Sequence, residues 1–302
     1  MLAELTVAIP TYNRNDYLQE LLDTIPANFP GSVIVNDNGN FVNDSIKSKY
    51  GDFRFISLVD KIEMFANWNS VIASVDTEWF ILPSDDDLFY PNSFKFIEEE
   101  LRNNPDGDIF IFGYNVIDEN GQILNSWNPE KAQVLNSPDG FKVFLKGVDG
   151  RCPSIIFRTE FAKKMGNFDE SFIYTAADSL LIQKCLLYGK SVFVQKIISG
   201  YRTWPNNLTT QLISTTDWLN KVEQWTSIIA GLLQKDFSSV MGSERIINFK
   251  DEIYARNLLS GIKNKRGKEG ILSALQFFMQ SRFPFHADLN TRLRIIKAIV
   301  SK

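Results

Sequence analysis

Histidine is all but absent: His286 is the only one in 302 residues. Catalytic triads, imidazole acid-base pairs and multi-histidine zinc sites each need a well-placed imidazole, so ionic chemistry here falls to carboxylates. Cysteine is nearly as scarce. Cys152 and Cys185 make neither a Cys-x-x-Cys pair nor a dense, even spacing, which excludes a secreted disulfide scaffold and points to a reducing cytoplasm. Long apolar runs are missing too. The richest stretches, Trp79 to Leu82 and Ile271 to Met279, fall far short of the roughly eighteen apolar residues of a bilayer span. The opening Met1-Leu2-Ala3-Glu4-Leu5 lacks a basic n-region and a long apolar stretch, so no signal peptide is expected.

What is present is a large apolar complement: 44% of residues are hydrophobic and 24 are Phe, against 23% charged. That composition buries a sizeable core and excludes intrinsic disorder. The net charge of -4 is divided unevenly, because residues 243 to 302 carry 12 Lys and Arg against 5 Asp and Glu, a net +7, which leaves -11 on the preceding residues. An acidic body argues against nucleic acid as a partner, since phosphate neutralisation needs a basic footprint. The basic tail suits contact with anionic lipid.

Along the first hundred residues, short apolar runs alternate with helical periodicity, the pattern of a mainly parallel α/β sheet flanked by helices. Strands are predicted over Leu5 to Ile9, Ser32 to Asn36, Phe53 to Leu58, Trp79 to Leu82 and Asp108 to Phe112, with helices over Asp16 to Ile25, Met64 to Ala73 and Asn92 to Arg102. Asp118 to Gly121 reads as a hairpin turn, and Ser137-Pro138 as an N-cap with Pro at the first helical position. Beyond a boundary near residue 210, a helical extension is predicted over Trp218 to Leu233, Arg245 to Leu259, Ile271 to Met279 and Leu289 to Val300. Lys263 to Lys268 reads as a basic loop between two of these helices. No internal repeat is present.

Ligands of such sheets sit beyond the carboxyl ends of the strands, and three of those loops are chemically unusual. Ser84-Asp85-Asp86-Asp87 follows the strand at Trp79 to Leu82. Three adjacent acids repel one another, a cost best offset by a hard divalent cation such as Mg or Mn; a loop capping the helix near Pro91 is the plainer use. Asn36-Asp37-Asn38-Gly39-Asn40 satisfies a turn on its own side chains, and an Asp there also suits a base N–H. Pro10-Thr11-Tyr12-Asn13-Arg14 offers a stacking ring and a fixed charge.

Taken in order, Val7 to Arg14, Val33 to Asn38, and Phe80 to Leu88 with Pro91 resemble the motifs of the family 2 glycosyltransferases of the GT-A fold, over about residues 4 to 204. The resemblance implies a GT-A, Rossmann-like catalytic domain over residues 1-210; residues 211-302, a helical region outside the resemblance, are expected to make acceptor, membrane-surface or oligomer contacts. It implies a nucleotide-sugar donor, Mn or Mg, and inversion at the anomeric carbon; with the basic C-terminal helices at the inner membrane face, a glycan or lipid-linked glycan of surface-polysaccharide type is the expected acceptor. By position, Pro10, Thr11 and Tyr12 line the base pocket and Arg14 lies beside it, while Asp37 accepts the base imide, which favours uridine. Asp85 faces the ribose within the acidic run that matches the DxD, and Asp86 and Asp87 reach the metal, Asp87 foremost. Lys61, in the loop before the helix with Asn67 and Asn69, reads either as a solvated side chain or as a contact to base or diphosphate. Met165 to Glu170 with Ala176-Ala177-Asp178 resembles the Gly-x-Phe-Asp stretch and the following acidic pair, so Asp178 takes the place of the general base.

Two positions depart from the pattern. Ala177 stands where the first acid of that pair belongs, and Trp204 stands near where many members carry a His, with a sugar or acceptor contact as its alternative. Thr175 to Asp178 also reads as a capping box. Arg158 and Cys152 read as structural. The processive members' Gln-x-x-Arg-Trp motif and membrane helices are missing, which favours transfer of one sugar. Among rivals, a metal-dependent phosphohydrolase wants a Thr where Phe89 stands, and a nucleotidylyltransferase wants a glycine-rich loop where Pro10 to Arg14 has none. A nucleotide-sugar-binding relative without turnover fits Ala177 and Trp204.

Overall fold

The computed structural model describes residues 1–204, 207–239 and 241–300. They form two compact units. The first comprises Met1–Lys142, Asp149–Ile173 and Lys184–Thr203; the second comprises Val143–Val148, Tyr174–Gln183 and Trp204–Lys302. The expected boundary was near residue 210, whereas this division falls after Thr203 and gives two earlier segments to the second unit.

The first unit is built on β1 (Leu5–Thr11), α1 (Asn15–Asp23), β2 (Ser32–Asn38), α2 (Asp44–Lys49), β3 (Arg54–Leu58), α3 (Met64–Ala73) and β4 (Trp79–Ile81). These are followed by β5 (Leu88–Phe89), α4 (Ser93–Asn103), β6 (Ile109–Ile117), β7 (Ile123–Trp127), β8 (Gln133–Leu135), β9 (Ile155–Arg158) and α5 (Thr159–Lys164). Helix α6 (Ala177–Tyr188) spans the division, and β10 (Ser191–Arg202) closes the sheet. Strand order is β3-β2-β1-β4-β9-β6-β10-β5, with β7 on β6 and β8 on β10. Strands β3, β2, β1 and β4 pair in parallel, as do β6 and β10, while the short strands β5, β7, β8 and β9 pair antiparallel. The expected mixed, mostly parallel sheet flanked by helices is therefore present.

All seven residues of β1, an interior strand between β2 and β4, are buried, as a strand covered on both faces requires. Helices α1 and α4 share one core with Leu5, Val7 and Ile9, through apolar residues at three- and four-residue spacing, Leu18, Leu21 and Leu22 of α1 and Phe94, Ile97 and Leu101 of α4, and α3 also packs on β1. Phe80 of β4 stacks on Phe157 of β9 with centroids 5.3 Å apart. Strands β1 and β2 each run two residues further than predicted, through Thr11 and Asn38, because their polar ends stay buried and paired. The turn at Asp118 joins β6 to β7 as expected. Ser137 caps no helix: its hydroxyl donates to the Leu187 carbonyl at 2.5 Å, and a 3-10 turn starts at Asp139.

The second unit adds α7 (Leu208–Leu212), α8 (Thr216–Asp236), α9 (Ser243–Glu269), α10 (Ile271–Met279) and α11 (Leu289–Val300). Its core gathers Trp218, Val222, Trp225 and Ile229 of α8 with Phe249, Ile253 and Leu258 of α9. Trp225 Nε1 donates to Gln183 Oε1 at 3.0 Å, and Gln183 Nε2 donates to the Phe144 carbonyl at 3.0 Å, which ties the two shorter segments to α8. The predicted basic loop over Lys263 to Lys268 is helical instead. It forms the last turns of α9, where Lys265 pairs with Glu269 at 3.0 Å, and the chain breaks only at Gly270, with φ of 89°. His286, the lone histidine, lies before α11 with its backbone N–H on Asp251 at 2.8 Å.

Candidate active site

Adjacent parallel strands end at the same edge of a sheet, so the loops after β1 and β4 meet. Asp85 is buried there and anchored by β1: its Oδ2 accepts the Thr11 hydroxyl at 2.7 Å and the Tyr12 amide at 3.2 Å. Asn13, with φ of 53°, turns the chain so that Arg14 comes back over the acids. Arg14 Nη1 lies 3.1 Å from Asp85 Oδ1 and 2.6 Å from Asp86 Oδ2. The predicted residues Thr11, Tyr12, Arg14, Asp85 and Asp86 thus share one cluster.

Burial pushes the Asp85 carboxyl up to about 6, against the pull of Arg14, and the Asp86 charge adds to the rise. Asp87 is raised well above the usual carboxylate range, first by burial and then by Asp86. Its two oxygens accept backbone amides, of Ser84 at 2.8 Å and of Arg202 at 3.2 Å. Burial works against the Arg14 charge, but Asp85 and Asp86 more than offset it and raise the guanidinium. The edge holds more negative charge than burial favours.

That bears on a metal ion. The oxygen-only donors of Asp85 to Asp87 suit a hard divalent cation, and two of the three carboxyls gain from added positive charge. Arg14 neutralises part of the cluster as it stands, and among the described residues no three acidic, histidine or cysteine side chains form a ready metal cage. The donor chemistry fits; the arrangement places Arg14 on the same oxygens.

The neighbouring loops frame this edge. Asp37, fully buried at the end of β2, accepts the amides of Phe41 at 2.8 Å and Val42 at 2.9 Å, closing the loop over Gly39 and Asn40. Asn38 exchanges two hydrogen bonds with Ile62, at 2.9 and 2.8 Å, and so ties the loop that carries Lys61 to β2. Lys61 Nζ then sits 4.4 Å over the Tyr12 ring, and Phe41 meets that ring edge-on at 5.3 Å. Tyr12 is 38% exposed, so part of an aromatic surface faces solvent beside the acids.

Sequence reasoning missed Arg202. It is 2% exposed, at the end of β10, and its fork reaches three elements. Nε donates to the Asp86 carbonyl at 2.7 Å, Nη1 to the Glu119 carbonyl at 2.7 Å and Nη2 to Glu20 Oε2 at 2.8 Å, while the guanidinium lies over Tyr17. The strand it ends already contains Gln195, Lys196 and Ser199, so one more polar residue gave no signal. Asn38 was missed for a different reason, since it reads as one more turn residue.

Asp178 and Trp204 belong to the second unit. Asp178 is half-buried in the first turn of α6, where its Oδ1 accepts the Ser179 amide at 2.8 Å, as a carboxylate at a helix start does. Ala176 before it has φ of 70°, a conformation that side chains other than Gly rarely adopt and that collects at functional turns. Ala177 is fully buried. Trp204 is half-buried, and its carbonyl accepts the Asn207 amide at 3.1 Å.

Solved structures share this architecture. S. aureus TarS 1-349 superposes with a TM-score of 0.63 at 16% identity, covering 98% of this chain and 81% of its own, and the same protein has been crystallised with UDP-GlcNAc. The mannosyltransferase PcManGT of Pyrobaculum calidifontis, in complex with GDP-Man and Mn2+, gives 0.53 at 13% identity over 98% of this chain and 86% of its own. The fold is GT-A. An uncharacterized glycosyltransferase of Rickettsia typhi is 26% identical over 240 residues, 76% of this chain and 71% of its own length. Another, of Rickettsia prowazekii, is 24% identical over 285 residues, 90% of this chain and 82% of its own. The family model for glycosyl transferase family 2 matches residues 6–166, more than half of the chain. This glycosyltransferase belongs to that family.

Proposed function

We propose that the enzyme moves one sugar from a nucleoside diphosphate sugar, with uridine as the base, to a hydroxyl of a glycan or lipid-linked glycan in surface-polysaccharide synthesis, with inversion. The observation that carries this is the Thr11, Tyr12, Arg14, Asp85 and Asp86 cluster at the carboxyl edge of β1 and β4. In it, Tyr12 and Lys61 offer the base a stacking face and a cation. Asp85, held by Thr11, faces the ribose. Asp37 meets the base N–H once the Gly39-Asn40 loop gives way, since its oxygens already serve that loop. UDP-GlcNAc on TarS supports the uridine reading, and GDP-Man on PcManGT marks guanosine as its competitor.

Asp86 and Asp87 would hold Mn or Mg, which supplies positive charge for a departing diphosphate. Arg14 adds a second, fixed charge from the chain itself. Asp178 takes the proton of the acceptor hydroxyl as its oxygen bonds to the anomeric carbon. The bond from that carbon to the diphosphate breaks in the same step, and the nucleoside diphosphate leaves. Trp204 contacts the sugar or the acceptor. The enzyme works in the cytoplasm, at the inner face of the cell membrane.

A thermal-shift screen of UDP-, GDP- and dTDP-sugars with and without Mn tests this, because a ligand that binds only the folded state raises Tm. The expected result is a UDP-sugar-specific, Mn-dependent rise. No rise with any nucleotide sugar would overturn it, and binding without nucleotide release would identify a relative that has lost turnover.

A further inference from the structure

Helices α10 and α11 leave an apolar surface open. On α10, Leu272 is 79% and Met279 74% exposed; on α11, Leu289, Leu293, Ile296 and Val300 are all exposed. The α11 residues recur at four-, three- and four-residue intervals, so they form one narrow stripe, while Thr291, Ile295 and Ile299 bury a different face of the helix. Arg294 and Lys297, both exposed, fall along one side of the stripe. Neither helix contains an acidic residue. Contiguous exposed apolar stripes of this kind mark an interaction site.

We infer that the α11 stripe, with the exposed face of α10, lies on an anionic bilayer surface, its leucines in the acyl boundary and Arg294 and Lys297 at the lipid phosphates. Charge decides among occupants. A second copy of the chain would bring the same cations against each other, with no acid on either helix to meet them. A spanning arrangement is ruled out for the described helices, none of which is long and apolar enough to cross a membrane. An apolar stripe edged by Lys and Arg is the pattern of helices that lie in the membrane plane. The net +7 of residues 243 to 302 adds a broader attraction to the same leaflet. This deepens the membrane-face part of the proposed function and rests on it, but not on the chemistry of the donor site.

The test is co-sedimentation of the full chain with phosphatidylglycerol-rich or pure phosphatidylcholine vesicles, at low and high salt, with sedimentation velocity in their absence. Wild type is expected to bind the anionic vesicles only, and less at high salt. Leu293→Asp and the double variant Arg294→Glu/Lys297→Glu are expected to lose about tenfold or more in affinity. Far-UV circular dichroism confirms that they fold, and nucleotide release from the donor without vesicles is unchanged. Failure of wild type to bind anionic vesicles at low salt overturns the inference, as does equal binding to both lipids. A dimer that Leu293→Asp dissociates, with vesicle binding untouched, also overturns it and makes the stripe a self-interface. Loss of nucleotide release in wild type would sink the donor reading while leaving the vesicle result standing.

Discussion

Arg202 spends its fork on backbone carbonyls and on Glu20, and this fixes where the Asp86 main chain sits. A buried guanidinium with several acceptors is costly to remove, because the carbonyls it served are left unmet. Arg202→Ala is expected to cost about 3 kcal/mol in urea unfolding, whereas Glu20→Gln, at a half-exposed partner, is expected to cost under about 1 kcal/mol. A second expectation concerns Cys185. Burial drives its thiol well above the ordinary cysteine range, and thiolate is the reactive form, so native Cys185 should resist iodoacetamide at pH 8 and react once unfolded, as mass spectrometry would show. The acidic run was legible because three adjacent carboxylates after an apolar strand carry a visible electrostatic cost. Arg202 was not, because its partners lie far away in sequence and are mostly main-chain oxygens, which no side-chain pattern announces.

Most elements of the fold could be read from periodicity, and Met64–Ala73, Ile271–Met279 and Leu289–Val300 have the predicted limits. The errors sit where polarity hides structure. Asp37 and Asn38 continue β2 although they read as a turn, since β3 pairs with both and β1 with Asp37. Lys263 to Lys268 continues α9 because one internal Gly costs a helix only about 1 kcal/mol relative to Ala. Two glycines of that helix should therefore respond in opposite ways. An added Cβ at Gly267 meets nothing within 4 Å, so Gly267→Ala is expected to stabilise the fold by about 0.5–1 kcal/mol. At Gly261 the Cβ would stand 2.7 Å from the Ile213 carbonyl oxygen and from the Phe277 ring, so Gly261→Ala is expected to destabilise by about 1–3 kcal/mol. Chemical denaturation of both variants checks the pair, and an equal sign would contradict the packing.

For the whole molecule, charge is distributed by region: a net -11 up to residue 242 and +7 beyond it. The acidic region includes the cluster whose repulsion Arg14 partly offsets, while the basic region includes α10 and α11. The sheet and its acidic edge were legible as a class of chemistry, because strand ends at the carboxyl edge are where such sheets bind ligands. The donor and acceptor were not, because their recognition depends on side chains brought together from separate loops. The proposed transfer from a nucleotide sugar, with Asp178 as the base, is read out by the rate of nucleotide release with donor and acceptor present. Asp178→Asn is expected to lower that rate by about 100-fold or more while the donor still raises Tm as in wild type. An Asp178→Asn enzyme that transfers sugar at the wild-type rate would rule out Asp178 as the base.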